Sequence, residues 1–176
     1  MDRIGALSEV SDLVIGAGPV DLTTAAIEAR WFNMRGCEGV NAILIAAIGT
    51  AGEDPIISLE QAQDASATGV KALTIRHLDY KIGSTGIDAA DDLWLPVTTI
   101  DRDNPADDYD SDPIAGAENV LILSAFILPH DLDVAGNFTH IRMKVADTGA
   151  AAQLGVVLYI PTGRQHKGAH LASHLS

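Results

Sequence analysis

Val120-Leu121-Ile122-Leu123-Ser124-Ala125-Phe126-Ile127-Leu128 opens a stretch, Glu118 to Ile160, that carries the clearest structural signal in the chain. A polar turn from Pro129 to Asn137 follows. A second run covers Phe138 to Val145, and a third covers Leu154 to Ile160. The middle run alternates: Thr139, Ile141, Met143 and Val145 share one side, and Phe138, His140, Arg142 and Lys144 share the other. A period of two marks a strand with one face buried and one wet. Pro129, Asp131, Asp133, Gly136 and Asn137 punctuate the first gap, and Asp147, Thr148 and Gly149 the second. The expectation is three consecutive antiparallel strands, with Asp131 to Asn137 shaping a hairpin. Nothing in this stretch supplies chemistry.

Working outward, Val40 to Ile48 is nearly all apolar and predicts a central strand covered on both faces. Ile56 to Ala62 places Ile57, Leu59 and Gln61 on alternate positions, again a strand. Val70 to Ile82 is β-rich with an imperfect period, which a bulge near His77 would explain. Ala25 to Phe32 suits a strand; its Ala and Glu also suit a helix, but the turn from Asn33 to Gly39 favours strand. Trp94, Leu95 and Val97 to Ile100 form a short strand inside a loop-rich region, Gly83 to Gly116. Together these runs predict an all-β protein: a single antiparallel β-sandwich, jelly-roll-like, over residues 13–160. Residues 1–12 are an extended N-terminal arm and 161–176 a C-terminal tail.

The chain has 176 residues, the size of one domain, and 47% of them are hydrophobic, enough for a core. No apolar stretch reaches the roughly 18–20 residues of a membrane-spanning helix, and the first residues lack a secretory pattern. One cysteine, Cys37, excludes an internal disulfide. The formal charge is −13, from 24 acids against 11 Lys plus Arg. Such a chain is repelled by nucleic acid and anionic membrane, so neither is an expected partner. The acids crowd Asp79 to Asp112, whereas Gly163 to His174 carries Arg164, His166, Lys167, His170 and His174 with no acid.

Four motifs suggest chemistry, and each has a plainer explanation. Asp12 to Ala26 contains Gly16-Ala17-Gly18-Pro19 and looks like the phosphate-binding turn of a flavin-binding Rossmann domain. Asp21 stands where a third glycine belongs and would repel a pyrophosphate. A Gly-Pro turn between two strands is the preferred reading. Asp108, Asp110 and Asp112 match the first acidic positions of a calcium loop, but Pro113 and Asn119 occupy the glycine and glutamate positions. A solvated acidic loop is expected there, with a weak divalent site at Asp101 to Asp112 left open. His166, His170 and His174 recur every four residues, yet Gly163 and Gly168 weaken the helix a metal site needs. Cys37 beside Arg35 has no base to activate it and reads as a turn cysteine. No catalytic residue, cofactor or metal ligand is assigned.

Three segments taken together resemble a known family: Ile57 to Leu73, Asp131 to Arg142, and Val145 to Gly149 continuing through Leu154-Gly155 to Leu158-Tyr159-Ile160. With Pro19-Val20-Asp21-Leu22, and over roughly residues 12–165, the sequence is similar to small tailed-bacteriophage proteins encoded beside the major capsid protein. These are strand and turn patterns, not catalytic signatures. The resemblance implies a virion structural protein made in the host cytoplasm, most simply a decoration or cement protein on the outer surface of the head. Its partner would then be the major capsid protein, and it would assemble as a homotrimer with no enzymatic activity. Candidate contacts fall in the arm and tail: Ile4, Leu7, Val10, Arg164, His166, Lys167 and His170. The alternatives are a neck or tail protein, a carbohydrate-binding module stacking sugars on Trp31, Trp94 and Tyr109, and a flavin oxidoreductase.

Overall fold

The computed structural model describes residues 12–47, 55–83, 93–98, 108–110, 120–146 and 153–163. They form two antiparallel sheets packed face to face. One sheet has the order β1 (Val14–Asp21), β12 (Leu154–Thr162), β4 (Gly39–Ala47), β10 (Val120–Ile127), β7 (His77–Gly83) and β8 (Leu95–Pro96). The other has the order β2 (Ile27–Glu28), β11 (His140–Val145), β5 (Ile56–Ala62) and β6 (Lys71–Leu73). β3 (Phe32–Asn33) also pairs with β11, and β9 (Tyr109–Asp110) with β5.

The pairing is that of a jelly roll. β1 pairs with β12, β2 with β11, β4 with β10 and β5 with β6, so the chain forms one long hairpin. Rolling that hairpin brings β12 against β4 and β11 against β5. The expected all-β sandwich is therefore what the chain forms.

The path differs from the expectation in several places, for physical reasons. The last three long strands do not pair with one another. β10 and β12 lie in the first sheet and β11 in the second. Consequently Asp131 to Asn137 belongs to a crossover between sheets, not a hairpin, and the crossover, from Pro129 on, contains two single-turn 3-10 segments, Pro129–Asp131 and Val134–Gly136. Val70 to Ile82 likewise holds no bulge. It is two strands, β6 and β7, in different sheets, and the period breaks where the chain crosses between them. Gly16 to Pro19 lies within edge strand β1, not in a turn, and β1 slips register twice against β12 around these residues. An edge is where a strand tolerates proline and bulges. Ala25 to Phe32 is broken into β2 and β3, separated by Ala29 to Trp31. β12 continues through Pro161 and Thr162, paired with Val40 and Gly39, so a tail from Pro161 begins too early. Of the expected strand around Val97, Leu95–Pro96 pairs with β7 and the Val97 N–H donates to the Leu78 carbonyl at 2.8 Å; Thr99 and Ile100 lie outside the described residues.

The core lies between the sheets. From the first sheet come Val40, Ala42, Leu44, Ala46, Leu121, Leu123, Ala125, Ile127, Val157 and Tyr159; from the second come Ile57, Leu59, Ile141, Met143 and Val145. Each set is every second residue of its strand. Burial of this apolar area drives the fold. Tyr159 crosses the gap: its hydroxyl accepts from the Met143 N–H at 3.1 Å and donates to the Arg30 carbonyl at 3.2 Å. These backbone groups are freed because the strand opposite β11 is interrupted between β2 and β3.

Candidate functional site

The two outward faces of the sandwich are chemically unlike, and they are its main candidate functional surfaces. On the second sheet the outward residues along the middle of β11 and β5 are polar: Arg142, Lys144, Ser58 and Glu60, with Ile56 at the end of β5. Arg142 Nε donates to Glu60 at 2.6 Å, and its Nη1 donates to Glu28 on β2 at 2.9 Å. Lys144 Nζ reaches Glu60 at 3.4 Å and Glu28 at 3.7 Å. Register places Arg142 directly across from Glu60, and Lys144 across from Glu28. The Arg142 guanidinium also lies over the Trp31 ring, 4.7 Å from its centroid. Opposite charges in cross-strand register make this face suited to water.

The first sheet is different. On its three middle strands the outward residues are Leu154, Val156, Leu158 and Ile160 on β12; Asn41, Ile43, Ile45 and Ala47 on β4; and Val120, Ile122, Ser124 and Phe126 on β10. None carries a charge. Ile45 stands between Val156 and Ile122, and Ile43 between Leu158 and Ser124. On β1, Ile15 pairs with Leu158 and is 56% exposed. Leu154 is 59% and Val120 45% exposed at one end of the patch. Side chains on the middle strands are half-buried, flanked by neighbouring strands on both sides. The patch ends at β7, where His77, Asp79 and Lys81 stand opposite Phe126, Ser124 and Ile122. The apolar pattern of β4 was thus expected to reflect cover on both faces. One of its faces is in the core, and the other forms the middle of this uncharged surface.

A third feature is the crossover. Asp133 accepts from the Gly136 N–H at 2.9 Å, forms an ion pair with Lys71, and its own N–H donates to Gln61 Oε1 at 2.8 Å. Gln63 Nε2 donates to the Gly136 carbonyl at 2.8 Å, and the Thr139 hydroxyl donates to the Gln63 carbonyl at 2.9 Å. Lys71 also lies over the Phe138 ring at 4.3 Å. Asp131 accepts from the Leu128 N–H at 2.8 Å and meets Arg76 at 3.3 Å. Asn137 adopts the left-handed conformation, φ 60°. The Lys71 hydrogen bond, then the Gly136 N–H, holds the Asp133 carboxyl below its ordinary range. His140 is buried beside this knot, and burial pushes its pKa down. These groups are consumed in fixing the backbone.

The positions singled out from sequence separate clearly. Ile4, Leu7, Val10, Arg164, His166, Lys167 and His170 lie outside the described residues, as do His174 and most of Asp101 to Asp112. Among the described residues no group of three His, Cys, Asp or Glu side chains could hold a metal ion. Cys37 is buried in the core cluster, in the turn after β3. Asp21 caps its own turn, accepting from the Thr23 hydroxyl at 2.8 Å and the Thr23 N–H at 3.1 Å; these bonds lower its pKa. Gly16 is small because the Tyr159 ring lies against it, a packing reason that needs no phosphate, whereas nothing crowds Gly18. Trp31 and Tyr109 are buried, leaving only Trp94 of the three proposed sugar-stacking rings exposed.

Compared with known proteins, the sequence matches no family model and no curated protein.

Proposed function

We propose that the protein is a structural component of a tailed-phage virion: an auxiliary decoration or cement protein that binds the outside of the head and bridges major capsid subunits. Two things support this reading. The first is the resemblance carried by Ile57 to Leu73, Asp131 to Arg142 and Val145 to Ile160. The second, which carries most weight, is a two-sheet sandwich whose ion-paired face suits water, as an outer surface requires. A protein of charge −13 suits a surface facing water more than one facing packaged DNA. Each copy would contribute modest binding energy, and many symmetric copies would together resist internal pressure. Assembly as a trimer and docking through the arm and tail belong to the same proposal.

Adding purified protein to capsids that lack it tests the reading. Saturable, symmetric binding that raises the temperature of capsid rupture is expected. Absence of binding to heads, with labelling confined to the neck or tail of particles, would move the protein there.

A further inference from the structure

We propose that the uncharged outer face of the first sheet is a self-association surface, covered by a second copy of this chain. The face is built by β1, β12, β4 and β10. The last three are 8 or 9 residues long. Four strands of that length cover a patch about 20 Å wide and about 28 Å long, roughly 500 Å² on each copy. Two such patches bury about 1,000 Å² together, the area at which a specific interface becomes plausible against a chance contact.

Charge points to the occupant. Two chains of charge −13 repel wherever acids meet. On this face β12, β4 and β10 present no ionisable side chain outward, and on β1 Asp21 stands across from Leu154 at one end of the patch. A patch without charge meets a like patch without that repulsion. On the opposite face Glu28, Glu60, Arg142 and Lys144 are already paired with one another within one copy. The border also fits: His77, Asp79 and Lys81 form a polar rim along β7. Within the patch, Asn41 and Ser124 supply a neutral pair, 3.4 Å apart.

The inference rests on this sheet face and not on the phage reading. Failure to bind capsids would leave it intact; a monomer in solution would leave capsid binding intact and remove only the trimer from that reading. Light scattering of the full chain across a dilution series is the test. Wild type is expected at a multiple of the 18.5 kDa chain mass. Ile45→Lys and Leu158→Glu are each expected at the single-chain mass with unchanged β circular dichroism. Ser58→Lys, on the other sheet, is expected to retain the wild-type mass. Hydroxyl-radical footprinting of wild type needs no variant: labelling of Ile43, Ile45, Val156 and Leu158 should rise on dilution. A wild type of single-chain mass at every concentration overturns the proposal. So does an Ile45→Lys protein that stays assembled, or footprinting at these four residues that does not change.

Discussion

The backbone N–H of Met143, in β11, donates to the phenolic oxygen of Tyr159, in β12, at 3.1 Å. That bond joins the two sheets through the core. The same hydroxyl donates to the Arg30 carbonyl, so one side chain satisfies two backbone groups at the gap between β2 and β3. Phe32 lies 5.2 Å from the Tyr159 ring, centroid to centroid, and holds it in place. Tyr159→Phe keeps the ring and removes the hydroxyl. The Met143 N–H is then buried without its partner, at a cost of about 1–3 kcal/mol. Urea unfolding followed by circular dichroism should show the loss with little change in slope.

Alkali gives a second reading of the same contact. Burial pushes the Tyr159 phenol well above its ordinary range. A raised folded-state pKa favours the protonated phenol in the fold. Its contribution is therefore complete below the free value of about 10 and is lost as pH rises above it. Wild type should lose stability more steeply than Tyr159→Phe between neutral and strongly alkaline pH. Parallel curves would show that the phenol does not titrate with unfolding.

Gly16 and Gly18 differ in what a side chain would meet. A Cβ on Gly16 would stand 2.6 Å from Tyr159 Cε2, inside a ring fixed on its other sides. Gly16→Ala should cost about 1–3 kcal/mol through overpacking. A Cβ on Gly18 meets nothing within 4 Å. Gly18→Ala should be neutral or stabilising by about 0.4–1 kcal/mol, through a less flexible unfolded chain. Thermal denaturation of the two variants checks both signs.

Acid should weaken the fold in two stages. Burial lowers the His140 pKa, so the neutral ring is favoured in the fold. Its contribution is present above about 6.5 and declines as pH falls below that value. Asp21, Asp64 and Asp133 are held below their ordinary range, chiefly by side-chain hydrogen bonds from Thr23, Thr68 and Lys71. Their contribution is present above the free carboxyl value and is lost as pH falls through the depressed one. His140→Gln should flatten the first stage of the melting-temperature profile, and Asp133→Asn part of the second.

Much of the fold was legible because the core depends on period-two patterning. Ile57, Leu59 and Gln61, and Ile141, Met143 and Val145, face inward as their alternation predicts. Strand partners were not legible. Alternation tells which side of a strand is buried but not which sheet the strand joins, so β10, β11 and β12 read as one meander. The crossovers were hidden for a related reason. Asp131 to Asn137 has the composition of a hairpin turn, but the contacts that fix it, Gln61, Gln63 and Lys71, are more than sixty residues earlier. The uncharged face was visible only as apolar runs. Ile43, Ile45, Val156 and Leu158 look like core residues when the second face of a strand is assumed to be covered.

Electron microscopy of the intact phage particle tests the central claim most directly. A head auxiliary protein predicts density for a two-sheet sandwich at symmetry-related positions outside the shell, bridging major capsid subunits. A shell resolved well enough to trace its subunits, with no such density on its outer surface, would contradict it.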